Sequence, residues 1–177
     1  MDAVQNVEPP SSLALATPEG VVRQRPGGAG SAAGNLGWPM DLDMNMPSML
    51  PLRLQPGDDL RRALETAVAT RGAEAAFVVS GIGSLDPALL RLAGAEKPVR
   101  IDGDLELLTL SGSIAANGSH LHLSVSDASG RVSGGHAAYG CTVRTTAEVL
   151  LVLLPDWRFS REPDAATGYA ELQLTRR

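Results

Sequence analysis

Leucines at 50, 52 and 54 alternate with Pro51 and Arg53, the period-2 pattern of a half-buried strand. The cluster "QPGDD" then turns the chain, and Asp58 or Asp59 is placed to cap a helix. In "DDLRRALETAVATRG" the apolar positions Leu60, Ala63, Leu64, Ala67 and Val68 fall at i, i+3, i+4, i+7 and i+8, which predicts an amphipathic helix that stops near Gly72. The continuous run Phe77-Val78-Val79 in "EAAFVVSGIGSL" reads as a buried strand ending in a glycine-rich bend. "LDPALLRLAGAEKPVRI" fits either a short helix or strands, because Pro87 suits both a first helical turn and a loop turn. From 102 to 154 the strands "DLELLTLSGSI", "SHLHLSVSD" and "GCTVRTTAEVLLVLL" are separated by the turn clusters "AANG" and "ASGRVSGG". Spacers this short favour antiparallel pairing, since a parallel crossover needs about a dozen residues. "LLPDWRFSREPDAATG" reads as a loop and "YAELQL" as a closing strand. The pattern predicts an α+β fold, a mainly antiparallel β-sheet packed by one main α-helix.

Residues 1–48 show neither period and are rich in Pro, Gly and Ala; they read as a disordered N-terminal extension, or as residues ahead of a true start near Met49. The folded domain is expected over 49–177. Composition narrows the function classes. Only 3% of residues are aromatic, which weakens base stacking, and the net charge is −5. Residues 1–48 hold two arginines against five carboxylates, and the remainder holds thirteen cations against fifteen, so neither part is a basic footprint for nucleic acid. The single cysteine, Cys141, excludes an internal disulfide and reads as a small buried residue. With no long apolar run and no basic, uninterrupted leader, the expected place is the cytoplasm, with no membrane partner.

All three histidines lie in "HLHLSVSDASGRVSGGH". On a strand His120 and His122 share one face, with Leu121 and Leu123 on the other. A returning hairpin after "SDASGR" brings His136 alongside His122, and Gly134 and Gly135 allow a close backbone approach there. Spacing leaves two readings open: a three-imidazole metal site with an open fourth position, or a surface H-x-H strand holding nothing. Glu106 and Glu148 are the carboxylates inside the expected sheet; either is a pocket residue beside a metal or a paired structural group. With no general base assigned, catalytic residues are not named; the chain reads as a binding module first, with a metal-dependent enzyme on the same histidines as the weaker alternative. "GIGS" lacks the lysine and spacing of a phosphate loop.

The succession "LRLQPGDDL", "VVSGIGSL", "LELLTLSGSI", "HLHLSVSDASGRVSGGH", "GCTVRTTAEVLLVLL" and "FSREPDAATGYAELQL", over about residues 49–176, resembles the plants and prokaryotes conserved domain, PPC or PCC. The resemblance implies a single module that assembles as a homotrimer. It also implies a divalent metal, zinc first among Zn, Cu, Ni and Fe, on His120, His122 and His136, at or near a subunit boundary. Plant members follow AT-hooks and bind nuclear proteins, so protein partners and nucleic acid enter by family analogy. Of their interaction motif, only Gly103, Glu106 and Leu108 match directly in "GDLELL". "RQRPGG" at 23–28 is near an AT-hook core, but Gln24 stands where a glycine lets the backbone sit deep in the minor groove.

Overall fold

The computed structural model describes residues 46–177. The extension expected over 1–48, with its AT-hook-like segment, lies outside the described residues but for its last three positions. Ten strands and one helix follow in the order β1 (Ser48–Leu54), α1 (Leu60–Ala69), β2 (Ala75–Leu85), β3 (Ala88–Arg91), β4 (Val99–Ile101), β5 (Leu105–Ala115), β6 (Gly118–Ser126), β7 (Val132–Ala137), β8 (Val143–Leu153), β9 (Trp157–Pro163) and β10 (Ala170–Arg176). Strands β1-β8-β2-β5-β6-β7-β3-β4 form one antiparallel sheet in that order, and β9 and β10 form a separate hairpin.

Helix α1 forms where the periodicity puts it. Asp59 is its N-cap, accepting a hydrogen bond from the Arg62 amide at 3.0 Å, while Asp58 accepts one from the Gln55 amide and closes the preceding turn. The helix buries Leu60, Leu64 and Val68 and ends at Ala69, with Thr70 as its cap. Those three side chains join one core with alternate residues of the sheet, among them Leu90, Leu107, Leu121, Leu123, Val143 and Leu151. Register shifts in β2 at Val78/Ser80 and in β5 at Leu107/Thr109 bend the long strands around this core. Among the described residues no helix is long and apolar enough to cross a membrane.

Three segments differ from their sequence reading. "LDPALLRLAGAEKPVRI" resolves into β3 and β4, with Pro87 between β2 and β3. The cluster "ASGRVSGG" splits: Asp127–Arg131 make the turn, but Val132 to Gly135 already belong to β7. "WRFSREP", read as loop, is strand β9, because β10 pairs along its whole length and Phe159 is buried with Ala75 and Ala115. A short two-stranded ribbon with one deep anchor carries little periodic signal. That ribbon packs on the side of the sheet opposite α1, where Phe159 meets Phe77 edge to face at 5.4 Å.

Candidate metal centre

The site is built by register. The Asp127 carboxylate accepts hydrogen bonds from the Ser129 and Arg131 amides and the Ser129 hydroxyl, and these bonds hold its pKa below the usual carboxylate range. This fixes a five-residue turn, so Ser126 pairs with Val132 and, four positions back, His122 pairs with His136. A slip of one residue would turn His136 into the core. The same face carries a continuous cross-strand row, Ser111 of β5, His122 of β6, His136 of β7 and Arg91 of β3, with His120 one pleat away opposite Ser113. Leu121, Leu123 and Ala137 occupy the alternate positions and are buried. Ordinary strand alternation therefore anchors the backbone in the core while lifting three imidazoles out of it.

One nitrogen from each of the three histidines lies within 4.8 Å of the others. The His120 and His122 Nε2 atoms are 2.9 Å apart, and ring centroids are separated by 4.3 to 4.9 Å, with His120 and His136 nearly parallel. His136 Nδ1 faces the Arg91 carbonyl at 3.2 Å, so its ring proton sits on Nδ1 and the Nε2 lone pair is free. Burial lowers the pKa of His120, with Arg161 and the other two histidines adding to it; burial, His136 and Arg91 lower that of His122. For His120 and His122 the shift favours the neutral ring, the form that donates a lone pair.

Two glycines are demanded here. A Cβ on Gly135 would stand 2.8 Å from the Arg91 carbonyl oxygen, the same atom that orients His136. Gly134, on the histidine face, is less crowded. Gly112 has φ +139°, and a Cβ there would overlap the His120 carbonyl oxygen, so β5 can run this close under β6 only with glycine.

Neither sequence-flagged carboxylate reaches the cluster. Glu106 pairs with Ser126, four residues along β6 from His122, roughly 13 Å at strand rise. Glu148 is exposed on β8, three strands away, opposite Ile82 and Arg53. The carboxylate that lies nearby is Glu171 of β10. It lines, with Arg91, His120, His136, Arg161 and Tyr169, a cleft of about 670 Å³. Arg161 donates to the Ser113 hydroxyl at 2.6 Å and its Nη1 faces His120 Nδ1 at 3.5 Å. Sequence reasoning missed Arg161 and Glu171 because they belong to the ribbon, whose docking no local pattern encodes. Arg91 was missed because its segment had no settled element; the register to His136 is the signal that finds it.

The Plants and Prokaryotes Conserved (PCC) domain is recognised over residues 44–155. The chain is 45% identical over 168 residues, 94% of its length, to the bifunctional protein GlmU of Synechococcus sp. (strain JA-3-3Ab), but covers only 26% of that protein. It therefore spans about a quarter of the length of this curated relative. Among solved structures, a hypothetical protein from Salmonella cholerae-suis superposes with a TM-score of 0.72 at 40% identity, over 75% of this chain and 96% of that one. A metal-containing protein from Archaeoglobus fulgidus superposes at 0.63 and 27% identity, over 74% and 96%. A candidate DNA-binding protein from Ralstonia eutropha superposes at 0.61 and 26%, over 71% and 90%. With its antiparallel sheet, single helix and residues 44–155 all matching, the chain belongs to the Plants and Prokaryotes Conserved domain family.

Proposed function

We propose that the chain is a homotrimeric binding module built around a divalent metal on His120, His122 and His136. The observation that carries this reading is the convergence of three imidazoles on one face of the sheet, with their ligand nitrogens within 4.8 Å of one another. Nitrogens bound to one tetrahedral zinc at about 2.0–2.1 Å stand roughly 3.3 Å apart, so small ring rotations meet the requirement. The donor set suits zinc, with copper, nickel and iron also compatible. Similarity to a metal-containing archaeal protein supports the same assignment. An ion there would supply one further, Lewis-acidic coordination position. The chain's own part is to hold the rings: His136 through the Arg91 carbonyl, and His120 and His122 by cross-strand register. Glu106 and Glu148, the carboxylates flagged in the sequence, stand too far away to act as a base on a bound water. Gly134 and Gly135 serve by letting β7 lie close to its neighbours.

The trimer rests on the side of the sheet without α1. Alternation puts Met49, Phe77 and Ile82 there, 64, 39 and 54% exposed, and the bulge residues Val79 of β2 and Leu108 of β5 are 51 and 44% exposed. Apolar side chains gathered on one sheet face mark an association surface. Purified protein is expected to hold about one metal ion per chain, lost in His122→Ala, where two imidazoles remain. Elemental analysis alongside a solution mass decides it. Metal-free protein of trimeric mass would overturn the metal half, and a monomeric mass the other half.

A DNA-associated role is a second reading, carried by similarity to the candidate DNA-binding protein and opposed by the net charge of −5. It expects salt-sensitive binding of A·T-rich duplex at physiological ionic strength. Binding no tighter than about 100 μM, the weak end of non-specific affinity, rejects it.

A further inference from the structure

We infer that the cleft between the histidines and the β9–β10 ribbon binds a small oxyanion, a carboxylate or a phosphate, held by Arg91 and Arg161. The proposal adjoins the metal reading but stands on the arginines. Three guanidinium groups line the cleft, Arg61, Arg91 and Arg161. Arg61 is committed elsewhere: it pairs with Glu65 at 3.1 Å and donates to the Ser119 and Ala137 carbonyls. The other two make no ion pair among the described residues. Arg91 gives one long hydrogen bond, 3.4 Å, to the Ala95 carbonyl. Against these two free cations the cleft sets one carboxylate, Glu171, so it carries a net positive charge before any metal is counted. A cleft with excess charge and a mixed apolar and polar wall recruits a counter-charge, and a guanidinium fork matches the two oxygens of a carboxylate or phosphate.

Arg161 is poised rather than satisfied. Its Nε is buried with no hydrogen-bond partner among the described residues, an unmet donor in its present placement. Burial also lowers its pKa, with Glu171 pulling the other way. Its Nη2 donates to the Ser113 hydroxyl at 2.6 Å and its Nη1 stands 3.5 Å from His120 Nδ1, which holds the guanidinium at the cleft wall beside the histidines. Arg91, level with His136 in the cross-strand row, lines the same cleft.

The test is calorimetry with the full chain, titrating inorganic phosphate and succinate in separate arms, before and after chelator dialysis, with metal content measured on each sample. We expect one probe to bind with a Kd of about 1 mM or tighter at low ionic strength. Arg161→Gln and Arg91→Gln are each expected to weaken it about tenfold or more, whereas Arg100→Gln, on an exposed arginine paired with Asp102, leaves it unchanged. Which arm responds separates phosphate from carboxylate. If Arg161→Gln fails to fold, Arg161→Lys keeps the charge, loses the fork and should still bind severalfold more weakly. Failure of both probes to bind, or equal losses in all three glutamine variants, overturns the proposal. Arginine-dependent binding in protein that never holds metal would sustain this site and sink the metal reading; metal-loaded protein that ignores both probes does the reverse.

Discussion

At the scale of single residues, the Arg91 carbonyl oxygen is the point on which the histidine site turns. It accepts from His136 Nδ1 at 3.2 Å, and the bare Cα of Gly135 is what lets β7 approach it. Gly135→Ala places a methyl 2.8 Å from that oxygen, so β3 must move away and the orienting hydrogen bond lengthens. Overpacking of this kind costs about 1–3 kcal/mol. Loss of an orienting partner weakens metal affinity by about 10–100-fold. Thermal unfolding and a metal-competition titration on Gly135→Ala should show both effects; an unchanged affinity would mean that His136 needs no such support. Residue-scale features were legible where they obey strand alternation: His120, His122 and His136 follow from period 2 and one turn. Gly112 was not, because its need for a positive φ comes from β6 lying against it, a contact between strands that no local spacing displays.

At the scale of elements, α1 is tied to the sheet by more than its apolar face. Glu65, in the middle of the helix, accepts hydrogen bonds from Arg61, the Ser119 hydroxyl and the Tyr139 hydroxyl, and Arg61 also stacks over the Tyr139 ring at 4.4 Å. Burial alone would raise the Glu65 pKa, but the hydrogen bonds from Ser119, Tyr139 and Arg61 together outweigh it and hold the carboxyl below its usual range. A carboxyl with its pKa depressed on folding stabilises the fold above its unfolded pKa, and that contribution disappears as pH falls through the folded value. Glu65→Gln should therefore cost about 1–3 kcal/mol at neutral pH, the penalty for breaking a partly buried charged network. The difference from the parent should shrink on acidification below the ordinary carboxylate range. Denaturant unfolding from pH 7 to pH 3 checks the sign; a difference that grows with acid would contradict it. The apolar stripe of α1 was plain in the sequence because helical period and capping are local. The latch was not, since Ser119 and Tyr139 lie 54 and 74 residues away. The ribbon was hidden for the same reason: its stability comes from Phe159 in a pocket formed by β2 and β5.

At the scale of the whole molecule, the run "FVVSGI" poses a question that one chain leaves open. Continuous apolar character predicts a strand covered on both faces. Here Ala76 and Val78 face the core, but Val79 and Ile82 stand half exposed, and Phe77 is covered in part by the ribbon. The sequence reading of a buried strand thus holds for one side of β2 only; the other side carries the composition of an interior without its cover. The proposed trimer supplies the cover, and Ile82 tests it well because its surroundings within one chain are known. Ile82 pairs across the ladder with Glu148, so Ile82→Lys places an ammonium beside a carboxylate and leaves the isolated subunit's fold supported. In an assembly through this face the same lysine must leave water, a penalty of several kcal/mol per ion that one carboxylate partner repays only in part. Ile82→Lys is expected to keep the thermal transition of a folded domain while its solution mass falls from three chains to one. If the mass stays at three chains, association uses another surface. The metal content of that monomer carries a further consequence: His120, His122 and His136 come from neighbouring strands of a single sheet, so the ion should remain when the trimer is lost.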